Sequence, residues 1–213
     1  MELEWTGERI IPKAMKPTNG MLLEHLARYY FAAPYATGRV LDIACGVGYG
    51  SHMTAKERKR EVTEIVAVDN DADALRYAAK EYHHQKIVYA QGDAMDESLP
   101  ERLGEFDTIL SFETIEHVAD DRFFLAQLLR MLRPGGTLVL SSPFGRGRGE
   151  PTSEPFHTHQ LTPDQFRGLF EGLPGIVDYF YQRGLTFERT PRDEARYFIG
   201  VAVYRKARES RFS

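Results

Sequence analysis

From residue 39 onward, short apolar runs alternate with stretches whose apolar residues recur at helical spacing. The runs read as strands over 39–43, 64–69, 86–91, 106–111 and 136–142, and the stretches between them as helices over 49–58, 71–82 and 120–132. A β-α-β rhythm with strands that are apolar on both sides implies a parallel sheet covered by helices on both faces. Ahead of it, residues 20–32 place Met21, Leu22, His25, Leu26 and Tyr29 on one helical face, and Pro34 stops the pattern. Residues 1–19 contain Gly7, Pro12, Pro17 and Asn19 and read as irregular. Arg133-Pro134-Gly135-Gly136 breaks the last of the alternating helices and turns into the fifth strand. A Gly/Pro-rich connection then spans 143–162; a loop that long in a compact domain is functional or disordered. A helix over 163–171 and strands near 176–183 and 197–205 follow, and the tail to Ser213 is polar and mobile.

The alternation runs without internal repeat, so 213 residues imply one domain: an N-terminal segment to residue 35, a core over 36–205 and a tail over 206–213. A net charge of −4 gives no general attraction to nucleic acid or to an anionic membrane. One cysteine, Cys45, excludes an internal disulfide and fits a reducing compartment. The N-terminus lacks an apolar secretory core, and no apolar run approaches a membrane span, so the expectation is a soluble, cytoplasmic protein.

The stretch Val40-Leu41-Asp42-Ile43-Ala44-Cys45-Gly46-Val47-Gly48-Tyr49-Gly50 carries the chemistry. A strand ends in an acid, a tight glycine turn follows, and a helix opens, which places a ligand at the strand's carboxyl end beside the helix N-terminus. Dinucleotide sites use G-x-G-x-x-G and offer bare amides to a pyrophosphate. Here the spacing is G-x-G-x-G, and Asp42 on the strand would repel phosphate but suit a ligand with a cationic or amino group. These residues resemble motif I of the class I S-adenosylmethionine-dependent methyltransferases, which usually have Gly where this chain has Ala44. Three further segments in the family's order extend the resemblance over roughly 36–205: Val68-Asp69-Asn70, Gly92-Asp93-Ala94-Met95, and the run from Phe106 to Glu113. Gly7-Glu8-Arg9-Ile10-Ile11-Pro12 and Glu24-His25-Leu26-Ala27-Arg28-Tyr29 resemble the leader of a subgroup from glycan and natural-product pathways, in which such leaders fold over the cofactor as a lid.

The resemblance implies a Rossmann-like, seven-stranded, mostly parallel sheet with helices on both faces and an antiparallel C-terminal strand. It implies S-adenosylmethionine as cofactor and S-adenosylhomocysteine as product. Asp42, Ala44, Gly46 and Gly48 would line the methionine end, with Cys45 and Tyr49 completing the turn. Asp69 with Asn70 would take the ribose, Asp93 with Ala94 the adenine, and Phe112 and Glu113 would border the methyl. Tyr29 is a further candidate neighbour. Asp69 has a competing role as a helix N-cap, which Asn70 or Asp71 could fill instead. Cys45 has no activating partner in the sequence and reads as packing rather than as a nucleophile.

At the acceptor end, one helical turn over 113–117 would put Glu113, Glu116 and His117 on one face, and His157 and His159 could reach the same mouth from the long loop. Three roles remain open: a histidine, with Glu116, as base and positioner; a structural brace; or, less favoured, a divalent metal on Glu113, Glu116, His117 and His157, a pattern that resembles RNA 3′-end 2′-O-methyltransferases. Arg146 and Arg148 offer a clamp for an anionic group or a solvated loop. The favoured reading is methyl transfer to oxygen of a small-molecule or glycan-type acceptor, with nucleic acid disfavoured as partner and metal-assisted 2′-O-methylation of an RNA 3′ end as the alternative. An NAD-dependent oxidoreductase and a non-catalytic cofactor-binding subunit are the rivals. The acceptor and the oligomeric state are not readable from the sequence.

Overall fold

The computed structural model describes residues 9–152, 154–192 and 196–208; Gly7 and Glu8 of the leader and the last five residues of the tail lie outside them. Five strands, β1 (Gly38–Ile43), β2 (Val62–Asp69), β3 (Ile87–Gln91), β4 (Phe106–Ser111) and β5 (Leu132–Pro143), run parallel in the order β3-β2-β1-β4-β5. Beyond β5 the sheet continues through β8 (Ile199–Lys206), β6 (Gly175–Arg183) and the short β7 (Thr186–Glu188). The C-terminal strand β8 is antiparallel to both β5 and β6, as expected. The sheet has eight strands rather than seven: β7 is three residues long, too short to leave a periodic signal, and it completes a hairpin with β6. The reading also passed over α4 (Leu99–Leu103), for the same reason.

Strand periodicity accounts for the two cores. Leu41, Ile43, Val66, Val68, Ile109, Leu138 and Leu140 point to one face, where Phe124, Leu125 and Leu128 of α5 (Asp121–Met131) cover them. Their neighbours Val40, Ile65, Leu110, Val139, Val201 and Val203 point to the other, under α1 (Gly20–Ala32) and α2 (Tyr49–Glu57). Successive residues of a strand face opposite sides, so a strand buried on both reads as one apolar run. Helix α3 (Ala72–Glu81) opens on Asp71, whose carboxylate accepts from the amides of Asp73 and Ala74, so the cap is Asp71 and not Asp69. The Arg133-Pro134-Gly135-Gly136 turn lies inside β5: Leu132 pairs with Phe106, Thr137 pairs with Thr108, and Gly135 takes a φ of +80° in the bulge between them.

The long connection is held down at several points. Phe144 bridges Leu161 and Gly147 bridges Gln160, and α6 (Pro163–Gly168) starts on a capping box between Thr162 and Gln165. Lys206, assigned to the tail by the sequence, ends β8 with its ammonium on the carbonyls of Leu129 and Leu132. Helix α1 is fastened as firmly. Arg28 is buried and donates to Gln182 at 2.8 Å, and the Tyr29 ring lies against Gly50 of α2.

A Cβ at Gly50 would overlap that ring. Gly50→Ala should therefore lower stability by about 1–3 kcal/mol, as overpacking does, instead of raising it by the roughly 1 kcal/mol expected of Gly→Ala within a helix. Urea unfolding of Gly50→Ala, Tyr29→Ala and the double variant checks this: the cost at Gly50 should shrink once the ring is gone.

Candidate functional site

The carboxyl ends of β1 to β4 open into one cavity of about 990 Å³, at the point where strand order reverses between β1 and β4. Two non-glycine residues with positive φ stand at its floor, Ala44 (φ +57°) just past β1 and Glu113 (φ +48°) just past β4. Such residues store backbone strain that the surroundings must hold. The family's usual glycine at the Ala44 position has its physical reason here, since only glycine adopts this conformation without cost. Glu113 is held by a reciprocal pair: its amide donates to Ser141 Oγ at 3.1 Å, and that hydroxyl donates to Glu113 Oε1 at 2.7 Å.

The expected cofactor residues divide by position. Ala44, Cys45, Gly46, Tyr49, Asp69, Asn70, Asp93, Ala94, Phe112 and Glu113 all line the cavity. Asp69 Oδ2 accepts from the Gly46 amide at 2.7 Å, which ties the tip of β2 to the glycine turn. Asp93 Oδ1 accepts from the Met95 amide at 2.8 Å. Gly46 has open space where a Cβ would stand. Burial pushes the Cys45 thiol well above its ordinary range, aided by the charges of Asp42 and Asp69, which agrees with a packing role.

Asp42 and Gly48 are not on the cavity wall. Gly48 caps α2 with a φ of +79°, and a Cβ there would strike Tyr89 and Ala78, so packing beneath the turn demands this glycine. The Asp42 side chain is 1% exposed. It accepts from Tyr29 Oη at 3.1 Å and from Ser51 Oγ at 2.5 Å, and so joins α1 to α2 under the turn.

The N-terminal segment supplies further wall residues, Arg9, Ile10, Met21 and His25. Arg9, Ile10 and His25 belong to the two segments that resemble a lid-forming leader, whereas Met21 had only its helical spacing, which by itself reads as a core face. Tyr29, named as a candidate, lines the cavity edge-on to Phe112, with ring centres 4.9 Å apart. His25 Nδ1 lies 3.3 Å from Tyr49 Oη, and burial, then the charge of Arg28, lower its pKa well below the ordinary value.

After β4, Ile115–His117 form one 3-10 turn. It brings Glu116 and His117 to the wall, and the long loop adds His157; ligand atoms of these three lie within 4.8 Å of one another, close enough to hold one divalent cation. Glu113 is not in this group, and its carboxylate accepts from Ser141 instead. His159 is also off the wall. It is buried under the loop, with Nε2 3.5 Å from Asp121 Oδ2, and burial lowers its pKa. Asp121 also binds Arg148 at 2.7 Å, so Arg148 pins the loop, and neither it nor Arg146 lines the cavity as a clamp. The charged side chains on the wall are Asp69, Asp93, Glu113, Glu116 and Glu154 against Arg9, an acidic surround that favours a cationic ligand over an anionic one.

Residues 41–140 match the family described as a methyltransferase domain. A Mycobacterium tuberculosis (strain ATCC 25618 / H37Rv) protein named as a probable S-adenosylmethionine-dependent methyltransferase is 33% identical over 181 residues, 83% of this chain and 62% of that protein. Norajmaline N-methyltransferase of Rauvolfia serpentina is 31% identical over 61% of this chain and 42% of its own length. The chain thus spans less than two thirds of the length of these relatives. Among solved structures, the YcgJ protein of Bacillus subtilis superposes with a TM-score of 0.62 at 18% identity, covering 87% of this chain and 99% of that one. The DhpI–SAH complex superposes with a TM-score of 0.64 at 17% identity, covering 89% and 88%. Residues 41–140 thus match a methyltransferase domain, and the chain is similar over most of its length to an S-adenosylmethionine-dependent methyltransferase.

Burial raises the Asp42 pKa from its ordinary 3.8 to about 7, opposed by the hydroxyls of Ser51 and Tyr29 and reinforced by the charge of Asp69. The folded chain therefore keeps a proton that the unfolded chain releases. The linked stability is complete below about pH 4 and is lost as pH rises through 7, at up to about 1.4 kcal/mol per unit. Urea unfolding should show Asp42→Asn falling less steeply in stability than the parent between those limits; parallel slopes would show that this carboxyl does not titrate across them.

Proposed function

We propose that the chain transfers a methyl group from S-adenosylmethionine to a hydroxyl of an uncharged small-molecule or glycan-type acceptor. The cofactor supplies an electrophilic methyl on a sulfonium, whose departure needs no acid. What remains for the protein is alignment of the nucleophile and removal of its proton. Asp69 would take the ribose, Asp93 and Ala94 the adenine, and the turn through Ala44 and Gly46 the methionine part, while α1 forms the wall that closes over them. The acidic lining supports a cationic cofactor and an acceptor without phosphate or carboxylate.

The observation that carries the acceptor chemistry is the setting of His117. Its Nδ1 lies 3.0 Å from the Phe156 carbonyl, which can only accept, so the ring donates there and its lone pair is at Nε2. Nε2 lies 3.9 Å from Glu116 Oε1, a carboxylate that would stabilise the imidazolium formed when the acceptor's proton is taken. The Oryza sativa relative named as a probable tocopherol O-methyltransferase supports oxygen as target, whereas the norajmaline enzyme is named for nitrogen. A solution in the cytoplasm is the setting this reading assumes, and among the described residues no helix is long and apolar enough to cross a membrane.

A second reading, in which a divalent cation orients the acceptor oxygens, as at an RNA 3′ end, rests on the grouping of Glu116, His117 and His157. S-adenosylhomocysteine should raise the melting temperature, as any ligand selective for the folded state does. A shift with NAD and none with the nucleoside would sink the methyltransferase reading. With a neutral hydroxyl acceptor, His117→Gln should lower kcat by on the order of 10²-fold or more and leave the KM for S-adenosylmethionine in place. A further melting shift on adding Mn²⁺, abolished in Glu116→Ala, would favour the metal-assisted reading instead.

A further inference from the structure

His117 and His157 stand forty positions apart in the chain, yet their rings meet edge to face with centres 4.8 Å apart. Both belong to surface connections, one after β4 and one in the long loop after β5. The residue next to His157 makes most of the contact between these connections, beside the His159 amide on the Glu116 carbonyl at 3.4 Å and the Phe156 carbonyl on His117. The Thr158 amide donates to the Glu116 carbonyl at 2.8 Å. Its hydroxyl lies 2.9 Å from that carbonyl and 2.7 Å from the Val118 carbonyl. One side chain thus spans the 3-10 turn on both sides of His117.

Two neighbours complete the arrangement. Gln160 Nε2 lies 3.0 Å from His157 Nδ1, and an amide nitrogen can only donate, so neutral His157 carries its proton on Nε2. The Phe156 carbonyl fixes the opposite tautomer on His117, with the proton on Nδ1. Phe156, His157 and Gln160 all lie within two residues of Thr158, so the attachment at Thr158 bears on both imidazoles.

We propose that Thr158 is a positioning residue for methyl transfer, which fixes His117 and His157 against each other in opposite tautomers at the acceptor end of the cavity. This rests on the reading of His117 as the base. Thr158 itself touches neither cofactor nor acceptor in this account. A valine keeps its shape and removes the hydroxyl; a serine keeps the hydroxyl.

The test uses the full chain labelled with ¹⁵N and saturated with S-adenosylhomocysteine. Long-range ¹H–¹⁵N spectra read the imidazole tautomers of the parent, Thr158→Val and Thr158→Ser. The parent and the serine variant should show Nδ1–H at His117 and Nε2–H at His157, and the valine variant should show both rings averaged between tautomers. Transfer to a neutral hydroxyl acceptor should fall on the order of 10²-fold in kcat in the valine variant, with the KM for S-adenosylmethionine within about twofold and activity restored by serine. Thr158→Ala replaces valine if that variant does not fold, as judged by its melting shift with the nucleoside. Unchanged imidazole spectra in the valine or alanine variant would overturn the proposal, as would one tautomer shared by both rings in the parent. Full activity of His117→Gln fails the base reading separately, because the tautomer spectra do not depend on turnover.

Discussion

The carboxylate of Asp42 is buried at the end of β1 and accepts hydroxyls from two different helices, Tyr29 of α1 and Ser51 of α2. A charge or a proton in that position cannot be left without partners, because an unsatisfied buried carboxyl costs several kcal/mol on the order of a whole domain's margin. The hydroxyls therefore fix where both helices sit. Tyr29 in turn places its ring against Gly50, Tyr49 and Phe112, so the wall of the cavity inherits its shape from the attachment below it. An acid that the motif presents as a ligand for the cofactor is, in the fold, also the joint between the N-terminal helix and the glycine turn.

The same economy governs the rim. A parallel sheet delivers all its strand-to-helix turns to one edge, and the turns there can hold strained backbone because rigid strands anchor them. Ala44 and Glu113 are the two strained points, each at a strand end and each fastened from beside: the turn at Ala44 by Asp69 on the Gly46 amide, Glu113 by Ser141. Acidic side chains gather at this edge, while the arginines of the long loop are drawn off it, Arg148 to buried Asp121. The result is a cavity with an acidic lining that favours a cationic ligand, with a pair of imidazoles at its rim after β4 and the loop's arginines off its wall.

Much of this was legible in the chain. Strands β1, β2, β4 and β5 read as apolar runs because they are largely buried on both faces, the edge strand β3 reads by its short run of β-formers although Val88 is exposed, and the helices read by spacing because one face is solvated. The glycine turn, Asp69 and Asp93 carried their own local signatures. Two short elements, β7 and α4, were not legible, since three and five residues give no period. His159 and Asp42 were named for their chemistry, but they stand behind the wall instead of on it. A sequence shows a side chain's functional group and not the direction in which its rotamer and its burial point that group.

The chain alone determined the order of strands and helices, the edge at which the cavity opens and many of the residue types that line it, because these follow from periodicity and from turns a few residues long. Tertiary structure decided which of those residues face the cavity. It sent His159 inward to Asp121 and His157 outward to His117, though the two are separated by a single residue and would share a side in straight extended backbone, because the loop bends at Thr158, which is tied to the turn after β4. It also brought Arg9 and α1 to the wall from far up the chain, where a resemblance to a lid-forming leader had pointed without giving the contacts. Contacts of that kind depend on packing between distant segments, which periodicity and turn chemistry do not record.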